Sequence, residues 1–478
     1  METSVVYEKI SFADILSVWG SFLVSLFISI IGFLISKIKK NINISWISAL
    51  VSALVILVFS VVGRVYEDPF QAVFFDKIFF VSIFLISVFS ILSVFISLSE
   101  LDYKDSLSSE FFFFLIISAF GAILMTSSQD FLTLFLSKEL MSFPIYAMVY
   151  AFRDKIGVES ALKYFVAGAI FSLIYLVGFS FFLMSEEVIR VAEPKGILGV
   201  FGIYLIIFSL LFKGGTAPFH FWVPDVYQGA PASVVSFAGS VVKFSSFVAA
   251  LRVIDITKIE FFVPLEALAI ISIVVGVLGA LVQKEIKRLV AYSSISHSGF
   301  IIFFLFSSGN ADVKNYLLFY LATYGIATAG IFGLISLFKK NLVYLEDFVG
   351  LSRKHRYISL LIGIFILSFA GIPMTAGFFA KYMSFLSAFY TERILAVVFG
   401  AIGSIASLYF YFQPMSRSFM ESVENTSSQV TASQEGEDKV YISPFVLFLI
   451  SVLALILIVL GFIPGLFFRL IGGIPLSF

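Results

Sequence analysis

Of the 478 residues, 60% are hydrophobic and 13% charged, and a mean hydropathy of +1.05 excludes an ordinary soluble domain in favour of a polytopic membrane protein. Basic and acidic side chains balance at 31 each, which excludes strong nucleic-acid attraction and leaves charge to matter through its placement. The lack of cysteine excludes disulfides, thiolate metal sites and iron–sulfur ligation, and His220, His297 and His355 lack metal-type spacing, so electrons are not expected to pass through this chain.

Apolar runs of about 17 to 25 residues, the length that crosses some 30 Å of hydrocarbon, predict an all-α fold of about fourteen transmembrane helices. The first run begins at Ala13, with Glu2 and Glu8 before it and no small-residue cleavage site after it, so it reads as a retained helix and not a signal peptide. With spans centred near Val55 and Ser90 it makes an N-terminal three-helix unit, residues 1–108. Spans near Ala119, Met141, Ser172, Phe208 and Ser240 form a five-helix unit, 109–252. Spans near Val274, Phe300, Thr328, Ala370 and Ala406 form a second, 261–415. A polar cytoplasmic loop, 416–442, rich in Ser, Thr, Gln and Glu from Glu421 to Lys439, separates them from a last span near Ala454 in 443–478.

Counted by side, the odd-numbered loops carry sixteen lysines and arginines, including Lys37, Lys39, Lys40 and Lys284, Lys287, Arg288. The even-numbered loops and the termini carry ten. The positive-inside rule therefore places the odd loops in the cytoplasm and both termini outside.

Two spans are interrupted. The seventh meets Gly214, Gly215 and Pro218 directly after Lys213 and resumes through His220 to Pro224; the twelfth meets Gly371, Pro373 and Gly377 before Lys381. Proline removes an amide donor and clashes with the carbonyl one turn back, so such breaks persist at membrane depth only inside protein or beside a watery cavity. A simple kink is the alternative reading, but a lysine beside each break favours a functional one. Broken helices at corresponding positions of two halves are the mark of a transporter built from inverted repeats.

Five lysines, Lys138, Lys163, Lys213, Lys243 and Lys381, fall inside these apolar runs with one carboxylate, Glu139. At about 2.5 to 3.5 kcal/mol each, lipid exposure of all five costs roughly 15 kcal/mol, so they must face protein, water or each other. A partly desolvated lysine can exchange its proton near working pH, and a row of them can relay protons. Glu139 and Lys163 stand on adjacent spans flanking the short Arg153 to Gly157 loop, a placement that lets them meet and switch the proton affinity of Lys213 and Lys243. Structural ion pairing is the alternative, although one glutamate cannot neutralise five lysines. Lys138 points about 100° away from Glu139 around the helix and stays an open question. His220 and His297 are candidate bridges between lysines. His355 lies in a basic loop, and Asp225 is expected to cap a helix beginning near Gly229. The 61 phenylalanines and 20 tyrosines read as lipid-facing and packing surface.

Four segments together resemble the proton-antiporter-like membrane subunits of respiratory complex I. They are SKELMSFPIYAMVYAFRDKIGVESALKYFVAGAIFS, FKGGTAPFHFWVPDVYQGAPASVVSFAGSVVKFSSFVAALRV, QKEIKRLVAYSSISHSGF and SFAGIPMTAGFFAKY, spread between Ser137 and Tyr382. PDVYQGAP is similar to subunit N in particular. The resemblance implies a subunit of a proton-pumping NADH:quinone oxidoreductase in the cell inner membrane, beside an antiporter-like neighbour and small membrane subunits. It binds no cofactor itself, and NADH, FMN, iron–sulfur clusters and quinone belong to other subunits. By motif position it implies a proton relay of Glu139, Lys163, Lys213, Lys243 and Lys381, with His297 in the SSISH segment and His220 after the first break. Lys138 departs from the family, which usually has a small or apolar residue there. A related subunit of a cation/proton antiporter, or of a hydrogenase or other dehydrogenase complex, is the alternative reading.

Overall fold

A computed structural model describes residues 12–62, 73–74, 76–100, 109–152, 154–259, 262–338, 343–420 and 443–472. The polar segment from Glu421 to Lys439 lies outside the described residues. Helices α1 to α3 are Phe12–Lys39, Ile42–Val62 and Lys77–Glu100. In the next unit, α4 to α6 are Ser109–Ser127, Phe131–Val149 and Lys155–Glu186, α7 comes in two pieces, Ile197–Lys213 and Trp222–Gly229, and α8 is Ala232–Thr257. The following unit holds α9, Phe262–Leu281, α10, Ile286–Leu305, α11, Ala311–Leu337, α12 in two pieces, Arg356–Ala370 and Ala376–Tyr390, and α13, Ile394–Phe419. Helix α14, Pro444–Phe462, and a short α15, Gly465–Gly472, are the last of the described residues, and α15 is an element beyond the predicted spans.

Twelve of these helices are long and apolar enough to cross a membrane, among the described residues. The shorter apolar helices Ile197–Lys213 and Arg356–Ala370 are the first pieces of α7 and α12, which brings the crossing units to the fourteen expected. Contacts between loops show that the crossings alternate. Bridges join Val73 to Ser128 and Asp130 to Arg190, and Arg252 binds Asp76 at 2.5 and 2.9 Å, so the second, fourth and sixth loops share a face with the end of α8. On the opposite face, Glu285 bridges to Tyr344, Lys37 pairs with Glu110, and Gln228 donates to Glu285 at 2.8 Å. The start of α1 and the end of α14 consequently lie on one face, and the units beginning at α4 and α9 start from opposite faces. The broken helices α7 and α12 are each the fourth, counted from α4 and from α9.

Burial sorts the helices into a centre and a rim. The most apolar stretches of α8 and α11 are buried along their whole length, and α10 nearly so, whereas α1, α2, α6, α9 and α13 bury well under half of theirs and present the rest outward. A helix apolar all round belongs inside a large bundle. The centre therefore carries Lys243 on α8 and His297 on α10.

Some helix starts are capped by local side chains, and the start of α8 is capped from a distance. Asp130 and Asp154 accept from the amides of Thr133 and Gly157 at 2.6 and 2.7 Å and so cap α5 and α6. Helix α8 begins at Ala232, not near Gly229, and Asp225 does not cap it. Pro231 occupies its N-cap position, so the first free amides have no local side chain to take them. Glu100, the last residue of α3, reaches across instead. Its carboxylate accepts from the amides of Ala232 at 2.7 Å and Ser233 at 3.2 Å and from the Ser233 hydroxyl at 2.5 Å. Removing that buried acceptor orphans two amides. Glu100→Ala is expected to lower stability by about 2 kcal/mol, read as a fall in the thermal midpoint of the purified complex, and Glu100→Gln is expected to recover much of the loss.

Candidate functional site

The site is built on the two breaks. Lys213 ends the first piece of α7, Gly215 turns the chain at φ +74°, and the helix resumes at Trp222. Every backbone group freed there needs a partner at membrane depth. The Gly214 carbonyl accepts from the Ser298 hydroxyl at 2.7 Å, the Phe212 carbonyl from the Trp222 indole at 3.2 Å, and the Ala217 amide donates to Ser272 at 2.9 Å. Ser272 and Ser298 come from α9 and α10, so helices from later in the chain solvate the break in α7. In α12 the lysine does this work itself. Lys381, on the second piece, donates back to the Ala370 carbonyl at the end of the first at 2.9 Å, where a cation suits the negative end of a helix. Gly371 ends that piece at φ +76°, and a Cβ there would meet Lys381 Cδ at 2.7 Å, so both backbone and side chain require glycine.

Between the breaks lies a line of buried polar side chains. Lys213 donates to the Tyr146 hydroxyl at 2.7 Å and sits 4.7 Å from the ring centres of Tyr146 and Tyr164. Lys243 follows a π-helical turn, Ala238–Val242, of the kind often found at functional sites. Its ammonium donates to the Ser294 carbonyl at 2.6 Å and the Ser298 hydroxyl at 2.8 Å. Because Ser298 in turn donates to Gly214, that hydroxyl joins the surroundings of Lys243 to the residue after Lys213. His297 lies between two phenols, with Nδ1 2.7 Å from Tyr320 and Nε2 3.1 Å from Tyr411. Tyr411 also bonds Ser293, and Lys381 stands 5.9 Å from its ring. Lys213, Lys243, His297 and Lys381 are 2 to 6% exposed.

Three expectations change at the other end of the line. Lys163 is not buried: its side chain is 47% exposed and pairs with Glu159 at 2.6 Å and Asp225 at 2.7 Å. It lies about 12 Å into α6, close enough to the membrane face for its long stem to reach polar surroundings. Glu139 does not meet it. The carboxylate lies level with Ser172, about 14 Å farther along α6, and accepts from its hydroxyl at 2.5 Å. Its charge partner is Lys138, which is fully buried and 3.0 Å away. Asp225, expected as a cap, joins Lys163 to Arg288, the latter at 2.9 Å. His220 sits half-buried in the connecting segment of the α7 break.

The tyrosines were the residues the sequence reading missed. Tyr146, Tyr320 and Tyr411 supply hydroxyls to the buried bases instead of serving only as packing surface. The one available signal was the placement of Tyr146 two helical turns after Glu139, on the same face of α5. Among the described residues, no group of three or more His, Asp or Glu side chains is placed to hold a metal.

Residues 128–407 match the family model described as NADH:quinone oxidoreductase/Mrp antiporter, TM. NADH-quinone oxidoreductase subunit N of Bdellovibrio bacteriovorus is 33% identical over 338 residues, 66% of this chain and 69% of that one. NADH-quinone oxidoreductase subunit 14 of Thermus thermophilus is 38% identical over 306 residues, 63% and 69% of the two chains. Among solved structures, a chain of respiratory complex I from Thermus thermophilus with bound aureothin superposes with a TM-score of 0.78 at 29% identity, covering 93% of this chain and 98% of that one. A chain of the Mrp complex from Dietzia sp. DQ12-45-1b shares the fold alone, with a TM-score of 0.78 at 16% identity over 97% of each chain. The chain belongs to the NADH:quinone oxidoreductase/Mrp antiporter membrane family, among its NADH-quinone oxidoreductase subunit N members.

Proposed function

We propose that this chain is a proton-translocating membrane-arm subunit of an NADH:quinone oxidoreductase and that it moves protons along Glu139, Lys213, Lys243, His297 and Lys381. The observation that carries this reading is the run of buried bases, each hydrogen-bonded to a hydroxyl or to a carbonyl, spanning both helix breaks. A buried ammonium without a carboxylate beside it releases its proton at low cost, and adjacent hydroxyls pass protons on. Electron transfer and its cofactors belong to the other subunits. Lys163, with Glu159, Asp225 and Arg288, stands at the membrane face and serves as the proton-uptake end. His220 is the titratable group of the α7 break.

The odd-numbered loops face the cytoplasm in this reading, with both termini outside the inner membrane. The two five-helix units act as inverted repeats, a view supported by their opposite starting faces and their equivalent broken helices.

Lys213→Ala in the native complex tests the axis. NADH-driven proton uptake into vesicles is expected to fall by about tenfold or more while the complex still assembles; unchanged uptake by an assembled complex would sink the relay. Sodium-coupled transport by the isolated chain would favour the antiporter reading instead. Orientation is open to direct measurement because the chain has no cysteine. A single cysteine at the exposed Lys40 is expected to react with an impermeant maleimide only from the cytoplasmic side, and one at the exposed Lys195 only from the outside; the reverse pattern inverts the topology.

A further inference from the structure

We infer that Lys138 is the charge partner of Glu139, and that this pair, held between α5, α6 and α7, is the switch acting on Lys213; the inference rests on the proton-axis reading above. An ammonium has three donors, and Lys138 has three acceptors, Glu139 at 3.0 Å, Ser172 at 3.0 Å and Ser209 at 3.4 Å. Ser209 donates to the Phe171 carbonyl at 2.7 Å, which leaves its oxygen free to accept. Ser172 donates to the same Glu139 oxygen that Lys138 approaches, so the hydroxyl locks the pair in a closed three-way contact. The rings of Phe135 and Tyr175, 5.3 and 5.2 Å from the ammonium, complete the enclosure. Among the described residues this is the one buried lysine of the five with a carboxylate in contact. Lys163 is already committed to Glu159 and Asp225 at the membrane face.

The two members of the pair differ in freedom. The Lys138 side chain is 0% exposed and Glu139 15%, so the carboxylate has an open side to turn towards and the ammonium does not. Ser209, which Lys138 contacts, stands one helical turn before Lys213 on α7, so the ammonium and the carboxylate both lie within reach of Lys213 and act on it with opposite sign. While the pair is closed, the Glu139 charge offsets part of the Lys138 charge felt at Lys213. When Glu139 turns away or takes up a proton, the fixed Lys138 charge acts alone and drives the proton off Lys213 towards the rest of the axis. Lys138 is thus a positioning residue that works through Glu139 and Lys213.

The test measures protons taken up per NADH oxidised in vesicles carrying the assembled complex, for Lys138→Met, Lys138→Arg, Glu139→Gln, Lys163→Met and the doubles with Glu139→Gln. The expected result is a several-fold loss in Lys138→Met, substantial recovery in Lys138→Arg, and no further loss when Lys138→Met is added to Glu139→Gln, with losses that multiply when Lys163→Met is added to it. Where Lys138→Met alone fails to assemble, the Lys138→Met/Glu139→Gln double leaves no buried lone charge and carries the comparison. Infrared difference spectra supply a readout that a purely structural role would not move: the carboxylic-acid band lost in Glu139→Gln is expected to shift in Lys138→Met and to hold still in Lys163→Met. A wild-type proton ratio in Lys138→Met, or coupling of Glu139 to Lys163 in place of Lys138, overturns the switch assignment. Either result leaves the axis standing provided Lys213→Ala still abolishes uptake.

Discussion

A polar group inside a bilayer has no water to fall back on, and the architecture of this chain follows from that constraint. Lysines on the axis and carbonyls at the breaks are both incompletely satisfied by their own helices. Each supplies what the other lacks. Lys381 takes the carbonyl stranded at Ala370, and Ser298 shares its hydroxyl between Lys243 and the carbonyl stranded at Gly214. The interruption of a helix and the burial of a base are therefore one design, in which a freed backbone dipole replaces part of the lost hydration.

The same constraint explains why the axis is rich in hydroxyls and poor in carboxylates. A lysine held by an ion pair is stabilised as a cation and holds its proton, whereas one bonded to a phenol or a carbonyl has no such anchor. Tyr146, Tyr320, Tyr411 and the serines around Lys243 offer hydrogen bonds without fixing a charge. Carboxylates gather at the membrane face, with Asp225 between Lys163 and Arg288, where water shares the solvation.

Much of this was legible in the sequence, for physical reasons. A span needs about twenty apolar residues whatever surrounds it, so the crossings could be counted from hydropathy. Glycine and proline mark the breaks because few other residues permit them. Lysine in an apolar run is visible because it is costly. What stayed hidden depended on depth and on the reach of side chains. Lys163 and Glu139 stand on neighbouring helices but at different levels, and Lys138 reaches a residue that helical geometry places on another face because its stem is long and Ser172 stands between them. Apart from Tyr146, placed two turns after Glu139, the important tyrosines had no way to stand out from 20 of their kind. Pro231 signalled that α8 lacked a local cap without saying that Glu100 would supply one.

That remote cap has a further consequence. The family pattern begins at residue 128, after α3 has ended, yet the first turn of the helix carrying Lys243 is held by the last residue of α3. The region matched by the family model and the contacts that hold its helices therefore do not share a boundary. Helix α3 lies outside the matched region yet fixes the start of a helix inside it, so the helices before residue 128 are a structural support of the buried centre and not a mere attachment to it.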